Sequence, residues 1–226
     1  TNYGRVFDVR DVGLQRAKNL ADTNVEIKAH TDNPYRAPFP GVQILLCHRT
    51  ASGDQDDGAG ATTFTDGFAV AERLRHEDPA AFRLLSTVAC PYEYLDESTG
   101  VLLRASVPVI TLDHRGRVVR VALNNRSASR LRLPAVQLEA SYKAWGKMNT
   151  LANSPDFKFN LKLQPGEAAI WSNARVMHGR TAYESRRGGE EGGRWLQGCY
   201  IDWDSVQSTL DFWRHEASLS QANDTA

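Results

Sequence analysis

A chain of 226 residues with 27 Lys and Arg against 27 Asp and Glu is electrically balanced and long enough to bury a sizeable core,. Balance argues against a general nucleic-acid binder, which needs a basic face, and no apolar run approaches the roughly 20 residues of a membrane span. Cys47, Cys90 and Cys199 are too few and too scattered for a disulfide framework or a paired-cysteine zinc site,.

The expectation is one domain over residues 1–226 that acts on a small molecule in the reducing cytoplasm, with no nucleic-acid or membrane partner. The chain opens on Thr1 rather than Met and shows no signal-peptide pattern,. It is read as a fragment that lacks an N-terminal part.

The pattern is strand-rich, with helices on the flanks. Gly41–Cys47 (GVQILLC) is a short continuous apolar run, as in a buried strand,. Asp66–Ser86 reads as two short helices, with Asp66 as N-cap of the first and Pro79 in the first turn of the second,. Gly100–Asn125 reads as a hairpin, in which VLLRASVPVITL and RVVRVAL flank the turn residues DHRG,. Pro134–Ser154 is predicted helical, with Val136, Leu138, Tyr142, Trp145 and Met148 at helical spacing behind a first-position Pro134,. Phe157–Leu163 alternates apolar and polar residues, as a half-buried strand does,. After the Pro165-Gly166 turn, strands follow at Ala168–Trp171 and Trp195–Trp203, and Asp204 is placed to cap a last helix. Short strands joined by turns suggest an antiparallel sandwich, barrel or jelly roll. Ala51–Ala61 and Glu184–Gly193 read as solvated loops, each beside a candidate site and open to a lid role,.

Six histidines are present. His76, His114 and His215 fall in polar or terminal stretches and read as surface residues, and His48 follows an apolar strand with no carboxylate near it in sequence. His30 is different, because Asp32 lies two residues on. In a strand the two side chains share a face, which sets an imidazole beside a carboxylate. Alone, this pair equally fits a His–Asp hydrogen bond at a turn before Pro34. A second histidine, His178, ends a predicted strand far downstream. Two His and one carboxylate with open positions opposite form the facial triad of non-heme Fe(II) oxygenases. Arg194, one strand later, can pair bidentately with the distal carboxylate of a dicarboxylic cosubstrate. A zinc hydrolase at the same triad would lack a general base and leave Arg194 without a task. A non-catalytic binder has no need of metal ligands.

The segments HTDNPYRAPFPGVQILLC, TTFTDGFAVAERL, GRVVRVALNN, NARVMHGR and RWLQGCYIDWD resemble the catalytic domain of the γ-butyrobetaine dioxygenase group. That group belongs to the TauD/TfdA family of Fe(II)- and 2-oxoglutarate-dependent oxygenases, and the likeness runs from about Tyr3 to the last helix. It implies a mainly β fold, a double-stranded β-helix (jelly-roll) core with helices packed outside. It implies His30, Asp32 and His178 as iron ligands and Arg194 on the C5 carboxylate of 2-oxoglutarate, with Thr62 touching that carboxylate and Leu45 lining its pocket. Asn19 and Asn124 match asparagines near substrate or cosubstrate. Tyr3 and Tyr200 match two tyrosines of a cage that holds a trimethylammonium group by cation–π attraction. Phe7 stands where a Trp is found and Asp22 where another Tyr is found. Asn33 and Tyr35 supply further walls. The implied cofactors are Fe(II), 2-oxoglutarate and O2, with ascorbate as a stimulant, and a homodimer is frequent in the group. The small N-terminal zinc-binding domain that members often carry has no counterpart here. The implied reaction hydroxylates an unactivated C–H of a small alkylammonium compound and turns 2-oxoglutarate into succinate and CO2. γ-Butyrobetaine is the first candidate. A trimethylaminoethylphosphonate is the second, with Arg126 or Arg130 as partner of the phosphonate.

Overall fold

The computed structural model describes residues 4–12, 17, 20–50, 58–184 and 193–224. Two four-stranded antiparallel sheets form the centre. The first runs in the order β1 (Phe7–Arg10), β12 (Trp195–Ile201), β3 (Val42–Arg49), β10 (Ala168–Ser172). The second runs β2 (Ile27–His30), β11 (Val176–Arg180), β4 (Thr62–Asp66), β9 (Lys158–Leu161). Leu45, Cys47, Trp171 and Leu196 of the first sheet meet Phe64 and Val176 of the second, and Phe64 stands edge-on to Trp171 at 5.2 Å. This sandwich is the jelly-roll core that the resemblance implies, one of the three architectures that the strand pattern left open.

The larger apolar cluster lies on the outer face of the second sheet. Side chains alternate along β11, so Met177 joins the outer cluster while Val176 points between the sheets,. Helices α1 (Gly67–Glu77), α2 (Pro79–Thr87) and α3 (Ala135–Ala152) cover that face, with Leu74, Phe82 and Met148 among its buried residues. Asp66 caps α1 by accepting from the amides of Phe68 and Ala69, and Pro79 opens α2 behind the cap residue Asp78, both as the sequence predicts,.

Four expectations change. The run VLLRASVPVITL is two strands, not one. β6 (Val101–Pro108) pairs with β5 (Ala89–Asp96), and beyond the buried Val109 the chain starts β7 (Ile110–Leu112), which pairs with β8 (Val118–Val121). β5 escapes a reading by pattern because Pro91 interrupts it, and a proline is tolerated there in a two-stranded ribbon,. In α3 the buried face is Ser141, Ala144, Met148 and Ala152, whereas Val136 is 86% exposed; small residues let the helix approach α1 and α2 closely. Phe159 is exposed because β9 is an edge strand. Asp204 lies inside the first turn of α4 (Trp203–Asp224) rather than ahead of it. Among the described residues, no helix is long and apolar enough to cross a membrane. Most of the two loops read as lids falls outside the described residues.

Candidate metal centre

β2 ends at His30, and β11 pairs with it so that His178 stands directly opposite. The two imidazoles lie 4.4 Å apart between ring centres. Asp32 is not in the strand, as period-two spacing suggested, but in a bend just beyond it. Its carboxylate still meets both rings: Oδ1 is 3.2 Å from His30 Nε2 and Oδ2 is 3.6 Å from His178 Nε2. One ligand atom from each of the three residues lies within 4.8 Å of the others.

The bend is held by Asn173, which is fully buried. Its Oδ1 accepts from the Asp32 amide at 2.9 Å, and its Nδ2 donates to the carbonyls of Asp32 and Pro40 at 3.0 and 3.1 Å. Two groups of the first sheet then fix the carboxylate, for Gln43 Nε2 and Tyr200 OH both donate to Oδ2, at 2.8 and 2.7 Å. His30 Nδ1 donates to the Lys28 carbonyl at 2.9 Å, which orients the ring and turns Nε2 toward Asp32,. Burial pushes the Asp32 carboxyl up, but His178, His30 and the Tyr200 hydroxyl outweigh it and hold the group below the usual carboxylate range,. Burial drives His178 down to about 3, so its ring is neutral near pH 7. Two imidazoles, that of His178 neutral, and an ionised carboxylate that converge beside an open cleft are a fitting donor set for a divalent metal such as Fe(II),.

The cleft has a volume of about 630 Å³ and reaches from the triad to Arg194, just ahead of β12. Arg194 is 6% exposed and donates through Nε to the Gly60 carbonyl at 3.1 Å. Burial, followed by the charge of Arg180, lowers it to about 10, which leaves it cationic at neutral pH. Among the described residues neither Arg180 nor Arg194 has a carboxylate within ion-pair distance. A desolvated cation without a counter-charge is costly, and a dicarboxylate would supply that charge. Thr62 on β4 and Leu45 on β3, both buried, line the same region.

The other predicted residues divide. Phe7 and Tyr200 stack at 4.9 Å on one wall, and Asp22 lines the cleft from a 3-10 turn over Leu20–Asp22. On another wall Tyr35 donates to Asn33 Oδ1 at 2.7 Å and stacks on Tyr94 at 5.2 Å. Asn124 lines the cleft too, but its amide is engaged by the backbone: Nδ2 donates to the Thr31 carbonyl and Oδ1 accepts from the amides of Arg126 and Ser127. Arg126 lines the cleft and Arg130 lies off it. Tyr3 and Asn19 fall outside the described residues. His48 stacks on Trp195, and His76, His114 and His215 are exposed. Sequence reasoning passed over Gln43, Asn173, Arg180 and Tyr94. A signal existed for two of them: Gln43 is the lone polar residue in GVQILLC, and Arg180 shares the His178 face by period two,.

The model of the taurine catabolism dioxygenase TauD, TfdA family matches residues 1–200. The chain belongs to that family. Among its TauD/TfdA relatives, the gamma-butyrobetaine dioxygenase of Pseudomonas sp. (strain AK-1) is 35% identical over 210 residues, covering 93% of this chain and 51% of that protein. The Homo sapiens gamma-butyrobetaine dioxygenase is 34% identical over 217 residues, covering 93% and 52%. The chain thus spans about half the length of the curated relatives it matches. An asparagine oxygenase solved in complex with Fe(II), 2S,3S-3-hydroxyasparagine and succinate superposes with a TM-score of 0.66 at 20% identity, over 87% of this chain and 56% of that one, and so shares the fold.

Proposed function

We propose that this chain is the catalytic domain of an Fe(II)- and 2-oxoglutarate-dependent dioxygenase. It hydroxylates a C–H of a small alkylammonium substrate, γ-butyrobetaine or a close analogue. The observation that carries the reading is the presence in one cleft of a two-His, one-carboxylate cluster and a buried arginine that has no acidic partner among the described residues. His30, Asp32 and His178 would hold the iron, which when bound would supply the oxygen chemistry that converts the C–H substrate, 2-oxoglutarate and O2 into the hydroxylated product, succinate and CO2,. The protein supplies placement and charge. Gln43, Tyr200 and Asn173 hold the Asp32 carboxylate toward the two rings. Arg194 grips the distal carboxylate of the cosubstrate, with Thr62 beside it and Leu45 as an apolar wall. The faces of Phe7 and Tyr200 receive the ammonium group, each cation–π contact contributing about 0.5–2 kcal/mol, and Asp22 adds a full negative charge. Asn33 and Tyr35 close another wall, Asn124 holds the turn that carries Arg126, and Tyr3 and Asn19 join the substrate side on the strength of the resemblance. A homodimer stimulated by ascorbate rests on the same resemblance, and a cytoplasmic location on the sparse, scattered cysteines,.

Arg126 on the cleft favours a substrate with an anionic tail, a carboxylate or a phosphonate. The test is succinate formation by anaerobically purified protein given Fe(II), 2-oxoglutarate, O2 and a panel of γ-butyrobetaine, trimethyllysine, trimethylaminoethylphosphonate and their demethylated analogues. Coupled turnover of one quaternary compound supports the reading. Turnover of primary or secondary amines alone moves the substrate away from betaines. Failure to bind iron or 2-oxoglutarate overturns the assignment. Loss of phosphonate turnover in Arg126→Ala, with cosubstrate binding intact, would select the phosphonate variant.

A further inference from the structure

Two buried guanidiniums face one cleft, and their hydrogen bonds give them different work. Among the described residues Arg194 commits only Nε, which leaves its two terminal nitrogens for an anion. Arg180 commits both terminal nitrogens to backbone: Nη1 donates to the Ala21 carbonyl at 3.0 Å and Nη2 to the Val25 carbonyl at 2.7 Å. Those carbonyls belong to the segment that follows β1, which brings Ala21 and Asp22 into the cleft wall. Tyr183 grips the same segment. Its hydroxyl donates to the Thr23 carbonyl and its amide to the Asn24 carbonyl, both at 3.1 Å. The Tyr183 ring lies 5.1 Å from the Arg180 guanidinium, within cation–π range. The segment is therefore held by β11 and the residues just after it, and β11 also carries His178.

Arg180 is 3% exposed. A buried cation is an expensive way to tie down a surface segment. Its advantage is geometric, because the planar fork reaches two carbonyls four residues apart while keeping the aliphatic stem in the cleft wall. We propose that Arg180 and Tyr183 form a clasp that sets Leu20–Val25, and Asp22 with it, over the substrate side of the cleft. Arg180 is then a positioning residue for the organic substrate and not a second anchor for the dicarboxylate. The inference rests on the function proposed above.

Arg180→Lys removes the fork but keeps the charge, and Tyr183→Phe removes a single hydroxyl, so a folded variant is secured if the first fails to fold. Three readouts decide the matter: steady-state constants for the alkylammonium substrate, 2-oxoglutarate affinity by anaerobic titration, and amide hydrogen exchange in the metal-free protein. The clasp predicts exchange of residues 20–25 at least tenfold faster with β11 amides unchanged, a substrate KM at least tenfold higher, and a 2-oxoglutarate affinity within twofold of wild type. Unaltered exchange at residues 20–25 would overturn it. So would a fall in 2-oxoglutarate affinity as large as the rise in substrate KM, which would return Arg180 to the anion site. If wild-type protein turns over no alkylammonium compound, the proposed function fails by itself, and the exchange readout still decides the clasp.

Discussion

Gly198 has no side chain, and two walls of the cleft depend on that. It lies on β12 with Phe7 of β1 opposite on one side and Leu45 of β3 on the other. A Cβ there would fall 2.6 Å from Phe7 Cζ and 2.9 Å from Leu45 Cδ2, so both side chains fold over the bare backbone. Gly198→Ala must push one of them toward the triad, and overpacking of this kind typically costs about 1–3 kcal/mol. The expected result is a KM for a trimethylated substrate raised about tenfold, equivalent to ~1.4 kcal/mol, with a smaller rise for the demethylated analogue. Phe7→Leu in the same background should restore the stability lost to overpacking but not the KM, because it also removes an aromatic face that receives the ammonium group; a double variant as unstable as Gly198→Ala alone would show that Phe7 is not the group displaced,. His30, Asp32, His178 and Arg194 were legible in the sequence because their residue types and order are those of one chemistry. Asn173 was not, since it acts on Asp32 from the turn between β10 and β11, and Gln43 stood out only as a lone polar residue on β3 with nothing local to tie it to Asp32.

At the scale of elements, the start of α1 is fastened to the start of β11. Asp66 accepts from two helix amides and also takes Arg175 on both oxygens, the shortest contact being 2.7 Å from Nη2. Gly67 N donates to the Arg175 carbonyl, and a Cβ at Gly67 would lie 2.6 Å from that oxygen. Burial raises the Asp66 carboxyl, but Arg175 and the helix amides outweigh it, so the folded value lies below the ordinary one. A depressed folded value means stabilisation that is complete above the unfolded value and is lost as pH falls through the folded one. Removing an N-cap costs about 1 kcal/mol, and the half-exposed ion pair adds only a few tenths to that. Asp66→Ala should therefore lower stability by about 1 kcal/mol in urea melts at pH 7, with the gap from wild type narrowing below about pH 4. A gap that stays constant down to pH 3 would leave the carboxylate charge without a part in it. This joint was readable in part, since Asp66 ahead of an apolar-periodic run is a capping signal. Arg175 was not, because its role depends on a contact across the fold. β5 and the buried stripe of α3 were hidden for related reasons: a proline interrupts one, and the other packs through Ser141 and alanines, which no apolar pattern records.

Across the whole molecule, the donor set joins the two sheets. His30 and His178 stand on the second sheet, while the carboxylate of Asp32 is gripped by Gln43 on β3 and Tyr200 on β12 of the first. A divalent ion bound there ties together elements from both ends of the chain, β1 and β12 among them through Tyr200 and Phe7. The alternation of short strands foretold a sandwich, but not that its order would place the first and last strands side by side, because pairing between distant segments leaves no mark on either one. A ligand that binds only the folded state stabilises it by mass action, about 2.7 kcal/mol at a hundred times its dissociation constant. For a domain of this size each kcal/mol moves the melting temperature by roughly 2–4 °C. Saturating Mn(II) or Co(II), used as oxygen-inert stand-ins for Fe(II), should thus raise Tm by roughly 5–10 °C in anaerobic thermal melts. Asp32→Ala should abolish the shift, because it removes one donor and leaves Gln43 and Tyr200 with nothing to hold. Adding 2-oxoglutarate to the metal-loaded protein should raise Tm further, and Arg194→Met should remove that second increment while sparing the first. A metal shift that survives in Asp32→Ala would place the ion elsewhere in the fold. A 2-oxoglutarate increment that survives in Arg194→Met would shift the anion site toward the other buried guanidinium, Arg180.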